Sequence, residues 1–213
     1  MSELKTEEEQ IEAFKTWWKK NGTSLVLAVS IGVAGYFGTQ AWTQSQENHV
    51  NEASALYQNM MDAAVDLSVE SNQKTVAFIA NQLTDDYSDT GYAAFSQLIL
   101  ARLEVEKGEF DKAIDSLKQV QENTEDASLK AISGLRIARL LLEKQDFDAA
   151  LAQVNAVTSS EFTVQKQELK GDILLASGKK DEARDAYESA NNALTGSTSH
   201  PLLNIKLQDL VKS

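Results

Sequence analysis

The fold is decided by residues 131–157, which read AISGLRIARLLLEKQDFDAALAQVNAV. Apolar residues recur here every three or four positions, the spacing that places them on one face of an α-helix. The pattern is interrupted once, at the polar turn Gln145-Asp146-Phe147-Asp148, and then resumes. The stretch therefore predicts a helical hairpin, in which two amphipathic helices are joined by a tight turn.

Two further stretches align with this one without gaps. Residues 94–120 read AFSQLILARLEVEKGEFDKAIDSLKQV and residues 164–190 read VQKQELKGDILLASGKKDEARDAYESA, so the offsets are 37 and 33 residues. Gly108 and Gly178 stand at the turns, where glycine suits the left-handed conformation that ends a helix. Asp111, Asp148 and Asp181 are predicted to be the N-caps of the second helices.

Small residues also recur where the two helices of each hairpin must touch. They are Ala101, Ala138 and Gly171 in the first helices and Ala113, Ala150 and Ala183 in the second, followed by the larger Leu117, Val154 and Tyr187. The pattern resembles the tetratricopeptide repeat, whose period is about 34 residues. The repeats are degenerate, because Gln97, Gly134 and Gln167 hold the usual tryptophan position and the terminal proline is missing.

The rest of the chain fits an all-α solenoid. Pro201 is the only proline in 213 residues, so few helices are interrupted. An earlier hairpin is predicted over about 50–84, before the hairpins at 94–120, 131–157 and 164–190. After Gly196, an amphipathic helix over about 200–212 is predicted to cap the last repeat, because a helical solenoid leaves its end face open.

A membrane anchor is predicted ahead of the repeats. Residues 25–42 read LVLAVSIGVAGYFGTQAW, and no charged residue lies between Lys20 and Glu47. Eighteen helical residues span roughly 27 Å, close to the thickness of a bilayer's hydrocarbon core. A buried core helix is a weaker alternative, because the stretch is apolar on every face. A cleaved signal peptide is disfavoured by the glutamates in front of it and by the lack of a small-residue cleavage site.

Lysine placement predicts the orientation of this span. Lys5, Lys15, Lys19 and Lys20 precede it, whereas the first basic residue after it is Lys74. The positive-inside rule therefore predicts a cytoplasmic tail over 1–22, a transmembrane helix over 23–43 and a periplasmic domain over 44–213. A cytoplasmic repeat domain is the alternative.

Small residues inside the span suggest that it packs against another helix. They are Ala28, Gly32, Gly35 and Gly38, and the pairs Ala28/Gly32 and Ala34/Gly38 are each spaced four apart. The alternative is that these glycines only reflect the general abundance of glycine in membrane helices.

The composition predicts a binding protein rather than an enzyme. Twenty basic residues against 32 acidic ones argue against a nucleic-acid partner. The chain has no cysteine, its two histidines lie far apart, and it has neither a phosphate-binding glycine loop nor a nucleophile motif. We therefore expect no catalytic residue, no metal site and no cofactor.

Taken together, the layout resembles the YfgM family of bacterial ancillary SecYEG translocon subunits. The resemblance covers nearly the whole chain and is most specific in residues 7–22, in the glycine-bearing span, and in residues 134–151 and 171–190. It implies a single-pass protein of the inner membrane beside SecYEG and a PpiD-like periplasmic chaperone, helping newly exported chains reach folding factors. The alternatives left open are an adaptor for cell-wall or division machinery and a purely structural membrane oligomer.

Tetratricopeptide hairpins line their concave face with the first helix of each repeat, which predicts a protein-binding groove. The predicted groove residues are Phe95, Leu98, Arg102, Val105, Ile132, Leu135, Arg139, Leu142, Gln165, Glu168, Asp172 and Leu175. The two arginines would orient carboxylates or carbonyls of a bound segment. The alternative is that the leucines pack against neighbouring helices and the arginines pair with Glu104, Glu106 or Glu143.

Overall fold

The computed structural model describes residues 6–194 and 200–212, and across them the secondary structure is helical. The helices are α1 (Glu7–Ala64), α2 (Glu70–Asp86), α3 (Gly91–Glu106), α4 (Phe110–Asn123), α5 (Ala127–Glu143), α6 (Phe147–Ala156), α7 (Thr163–Ala176), α8 (Lys180–Asn192) and α9 (Pro201–Lys212), with a short 3₁₀ turn at Ser160–Phe162. The first five residues of the predicted tail, and Gly196 in the predicted link to the last helix, lie outside the described residues.

The chain divides into two compact units, Met1–Asn51 and Glu52–Ser213. In the described part of the first unit, helix α1 contains an 18-residue window whose mean hydropathy is 1.4 and of which only 6% is buried. A core helix of a soluble domain would be covered by other elements. This exposure therefore favours a membrane span over the core-helix alternative, and its length suffices for one crossing.

The second unit is a stack of helical hairpins. The end of α1 packs with α2 and α3 in one apolar cluster that includes Met60, Leu83 and Leu103. Helices α3 and α4, α5 and α6, and α7 and α8 form the three hairpins of the sequence repeats, and each hairpin packs on the next. The predicted all-α, tetratricopeptide-like solenoid is confirmed.

The small residues of the repeats lie where the hairpin helices meet. Ala101, Ala113 and Leu117 share one buried cluster, and the corresponding residues of the second hairpin share another. In the third hairpin the two helices approach closely: a Cβ atom on Gly171 would lie 2.4 Å from Cε1 of Tyr187. Glycine in α7 thus makes room for tyrosine in α8.

The three hairpin turns share one backbone geometry. Gly108 and Gly178 have φ angles of 73° and 82°, and Gln145 takes the same left-handed conformation with a φ of 60°. At the first turn, the amide of Gly108 donates to the Val105 carbonyl at 2.9 Å and the next amide donates to the Glu104 carbonyl at 2.8 Å. These two backbone hydrogen bonds form the Schellman motif, and the same pair recurs at the other two turns.

The predicted N-caps Asp111, Asp148 and Asp181 are wrong. The second helices begin two residues earlier than expected, so each aspartate is the second residue of its helix, and the caps are Glu109, Asp146 and Lys179. The reason is that a single residue follows the left-handed position in each turn. Its amide makes the last hydrogen bond to the first helix, and the same residue is the N-cap of the second helix. Among the three caps, only the side chain of Asp146 accepts a backbone hydrogen bond.

Helix α9 packs on the last hairpin, as the capping prediction required. Leu203 and Leu210 are buried in a cluster with Leu174, Tyr187 and other apolar residues of α7 and α8. At the C-terminal end of α9, a guanidinium nitrogen of Arg184 also donates a hydrogen bond to the backbone carbonyl of Leu210 at 2.8 Å. The helix is therefore held both by apolar contact and by a charged donor at its C-terminal end.

Candidate functional site

The structure separates the predicted groove residues by exposure. Phe95 is 42% exposed, Val105 and Leu175 are each 37% exposed, and both Arg102 and Arg139 are exposed. Leu98, Ile132 and Leu142 are half-buried, whereas Leu135 is only 7% exposed and packs inside the second hairpin's core. Leu135 therefore presents little surface to a partner. This agrees with the alternative that the groove leucines pack against neighbouring helices.

A cleft between the first two hairpins collects several of these residues. It has a volume of about 370 Å³ and lies between α3, α4 and α5. Its apolar lining includes Ala101, Leu117 and Leu140, which are buried, together with the partly exposed Val105. Its charged lining consists of Arg102, Glu106, Arg136 and Arg139.

The cleft arginines differ in their partners. The Nε of Arg102 donates to a carboxylate oxygen of Glu106 at 2.9 Å, one turn along α3. Within the part of the chain that the structure describes, Arg136 and Arg139 form no hydrogen bond or ion pair with a side chain. The predicted pairing with Glu106 is thus confirmed for Arg102, and the predicted alternative for Arg139, pairing with a nearby glutamate, is not observed.

Sequence reasoning missed Arg136. This residue precedes Arg139 by one turn of α5, so both side chains reach the same side of the helix. The pair was detectable as two arginines at a spacing of three, but the repeat alignment assigned only Arg139 to the groove.

The acidic groove positions of the third hairpin are occupied by the capping helix. The Nζ of Lys206 in α9 lies 2.7 Å from a carboxylate oxygen of Asp172 and 2.8 Å from one of Glu168. The hydroxyl of Tyr187 also donates to Asp172 at 2.7 Å. Glu168 and Asp172 therefore hold α9 in place, and the sequence alone did not pair them with Lys206.

These contacts and burial shift the pKa values of Lys206 and Tyr187. Burial lowers the pKa of Lys206, but its bonds to Asp172 and Glu168 outweigh burial and raise that pKa above its ordinary value of 10.5. Burial, followed by the bond to Asp172, raises the pKa of the Tyr187 hydroxyl. Lys206 is therefore a cation and Tyr187 a neutral donor throughout the physiological pH range.

The small residues of the span are open in the single chain. Apart from its chain neighbours and the nearby backbone of its own helix, a Cβ atom on Gly32, Gly35 or Gly38 would meet nothing within 4 Å, and Ala28 is exposed. Their role in packing against another membrane helix stays a prediction.

No three histidine, aspartate or glutamate side chains converge on a possible metal position among residues 6–194 and 200–212. The cleft between the first two hairpins offers apolar contact and the hydrogen-bond donors of arginine, both of which are common at protein interfaces.

Comparison with known proteins shows which family and which solved structures share this fold. The tetratricopeptide repeat-like domain family matches residues 15–212. Among solved structures, a chain of nearly identical repeats from a Podosopora anserina kinesin light chain shares the fold, with a TM-score of 0.60, 17% identity and coverage of 77% of this chain and 87% of that one. A MamA RS-1 variant has a TM-score of 0.58 at 12% identity, covering 74% and 82%.

Curated relatives are more specific. The ancillary SecYEG translocon subunit of Haemophilus influenzae is 32% identical over 88% of this chain and 89% of its own length. The protein of the same name from Escherichia coli is 29% identical over 99% of both chains. These matches run along nearly the whole length of both chains, and this chain belongs to the YfgM family of ancillary SecYEG translocon subunits.

Proposed function

We propose that this protein is a single-pass membrane adaptor of the Sec translocon. Its repeat domain would lie in the periplasm, bind partner proteins through the groove of the first hairpins and help pass newly exported chains to folding factors. The observation that carries the proposal is the joining of one exposed apolar helix to a tetratricopeptide-like solenoid in a family named for the translocon.

The charge distribution supports the periplasmic orientation. Lysines are confined to one side of the span for the nearest 30 residues, and the domain that follows Trp42 carries 27 acidic and 16 basic residues. Positive residues near a span are retained in the cytoplasm, whereas acidic residues have little influence on orientation.

Partner binding is proposed for the exposed members of the groove. Phe95 stands beside Tyr57, with ring centroids 6.3 Å apart, and Tyr57 in turn contacts Tyr92. Exposed aromatic rings and arginines are the residue types that dominate protein interfaces. A PpiD-like chaperone and exported chains are the partners we propose for this surface.

Orientation can be tested without background because the chain has no cysteine. Single-cysteine variants at Thr16 and Ser189 would be labelled in intact spheroplasts with a maleimide that does not cross membranes. We expect labelling of Thr16→Cys only after lysis and of Ser189→Cys before it. The reverse pattern would place the repeat domain in the cytoplasm and overturn the proposed role.

Partners can be tested by photo-crosslinking in intact cells. A photoreactive residue would replace Gly35 in the span or Phe95, Val105 or Leu175 in the groove, with the exposed Glu188 on α8 as the matched control. We expect span adducts with the channel or a PpiD-like chaperone and groove adducts with exported chains. Groove adducts only with cell-wall enzymes, or self-adducts from Gly35 alone, would contradict the proposal.

A further inference from the structure

Arginine is concentrated in one cleft of an acidic protein. The chain has four arginines, and three of them, Arg102, Arg136 and Arg139, line the cleft between α3, α4 and α5. The fourth, Arg184, holds the C-terminal end of α9. Arginine differs from lysine in its planar fork of donors, which matches a carboxylate with two parallel hydrogen bonds. The cleft therefore combines the donors suited to an anionic group in a domain that is otherwise negative.

Two of these guanidinium groups keep their donors available. Arg136 and Arg139 are exposed and bond to no side chain in the described residues, whereas Arg102 is bonded to Glu106. Glu106 also lines the cleft, and its carboxylate already accepts a hydrogen bond from one of the three arginines, Arg102. This arrangement shows that an acidic side chain fits at the cleft edge, and it leaves two arginines for carboxylates from outside.

The lining beneath the arginines is apolar. Ala101, Leu117 and Leu140 are buried side chains at the base, and Val105 stands partly exposed beside them. The volume of about 370 Å³ lies within the range of ligand-binding pockets. A ligand that fills the cleft must therefore carry an apolar group close to negative charge.

We propose that this cleft binds an acidic segment of a partner polypeptide, with an apolar side chain seated on Leu117 and Leu140 and neighbouring carboxylates on Arg136 and Arg139. The inference rests on the proposed adaptor function and deepens it by giving the chemistry of the partner. A protein segment is favoured over an anionic lipid surface because the arginines surround a cleft of about 370 Å³ with an apolar base, which suits individual side chains better than a flat surface.

The binding experiment uses the full-length chain in an uncharged detergent. The probe is a short dye-labelled peptide of leucine and glutamate, and the control probe has glutamine in place of each glutamate. We expect the acidic peptide to raise the fluorescence anisotropy at concentrations where the neutral one does not. Binding should weaken as ionic strength rises, because salt screens exposed charges. Equal binding of both peptides would overturn the proposal.

Substitutions then locate the site. The double variant Arg136→Gln/Arg139→Gln should bind the acidic peptide at least about tenfold more weakly. The matched control, Lys74→Gln/Lys118→Gln, changes the net charge equally at two exposed positions outside the cleft, and it should bind like the parent. An equal loss in both double variants would mean that only the overall charge matters and would overturn the proposal.

Glu106→Gln provides a test that misfolding cannot imitate. Glutamine can still accept a hydrogen bond from Arg102, but it removes the carboxylate of the 2.9 Å ion pair and lessens the negative charge at the cleft, so affinity for the acidic peptide should rise severalfold. A decrease in affinity would contradict the assignment of Glu106 as an internal competitor and, with it, the proposed carboxylate site.

A lipid arm and the crosslinking result separate the remaining outcomes. Phosphatidylglycerol vesicles should not compete with the peptide more than phosphatidylcholine vesicles do. Competition by the anionic vesicles that is lost in Arg136→Gln/Arg139→Gln would assign the cleft to lipid and overturn the proposal. If translocon crosslinks persist while acidic peptides fail to bind, this inference fails and the adaptor function stands. If acidic peptides bind but the translocon crosslinks are absent, the proposed adaptor function fails and the carboxylate-binding cleft stands.

Discussion

Replacing Gly171 with alanine should destabilise the repeat domain, although alanine is the better helix former. A Cβ atom at this position in α7 would lie 2.4, 2.5 and 2.9 Å from three ring atoms of Tyr187. Carbon atoms pack best about 3.5–4.0 Å apart, so the ring would have to move by roughly 1 Å or more. Tyr187 is fully buried, and its hydroxyl is bonded to Asp172 at 2.7 Å. The ring therefore has neither free space nor a free end.

The expected magnitude follows from three contributions. Overpacking a core costs about 1–3 kcal/mol. Displacing the ring also weakens a hydrogen bond to a carboxylate, and such bonds contribute about 1.5–3 kcal/mol. Alanine recovers about 1 kcal/mol of helix propensity relative to glycine. We expect a net loss of about 2 kcal/mol in the free energy of unfolding, which for a chain of this size lowers the melting temperature by about 4–8 °C.

Thermal unfolding of the full-length chain in detergent, followed by far-ultraviolet circular dichroism, measures this loss. Gly91→Ala is the matched control, because its Cβ would lie 3.8 Å from Phe95, an ordinary contact. The first hairpin pairs Ala101 with Leu117 at the corresponding positions, so Tyr187→Leu should relieve the clash of Gly171→Ala. An unchanged melting temperature for Gly171→Ala would refute the reasoning, as would a double variant whose losses simply add.

Three further predictions test the turns and the charged network. Gln145→Gly should stabilise the protein by about 0.5–1 kcal/mol in urea unfolding, because Gln145 holds the left-handed conformation that Gly108 holds in the first hairpin; a loss of stability would contradict this. Lys206→Met should cost about 1–2 kcal/mol by leaving Asp172 partly buried without its cation. Because the pKa of Lys206 is raised, its stabilisation is present below the ordinary value of 10.5 and is lost as pH rises through the folded value; the variant should lack this alkaline decline. Burial raises the pKa of Glu104 above 4.5, so parent stability should fall as pH rises through that folded value, and Glu104→Gln should flatten this part of the profile. An unchanged slope would refute the Glu104 assignment.

The hairpins were predictable because their determinants are local. The left-handed glycines, the small contact residues and the helical periodicity all lie within one repeat, so Ala101 and Ala113 could be placed without knowledge of the rest of the chain. The N-caps failed for a local reason as well. The residue following each left-handed position serves both helices, which moves the aspartates into the first helical turn, where Asp111 pairs with Lys144 of the next hairpin.

The groove was less predictable because it depends on how hairpins stack. Repeat alignment assigns residues to one face of a first helix, but it does not say how far the next hairpin covers that face. Leu135 was placed in the groove by alignment with Leu98, yet neighbouring side chains bury it. Arg136 was assigned nowhere, yet the spacing between α3 and α5 brings it into the same cleft as Arg102.

The hairpins differ in what their corresponding charged positions do. In the third hairpin, Glu168 and Asp172 bind Lys206 of α9, so these side chains serve to close the end of the solenoid. In the second hairpin, the position equivalent to Asp172 is Arg139, which contacts no carboxylate among the described residues and faces an open cleft. A repeat array needs a closed end to keep its core dry. Because that requirement is met by α7 and α9, the arginines of the earlier hairpins are not needed for closure, and we infer that their clustering serves a partner.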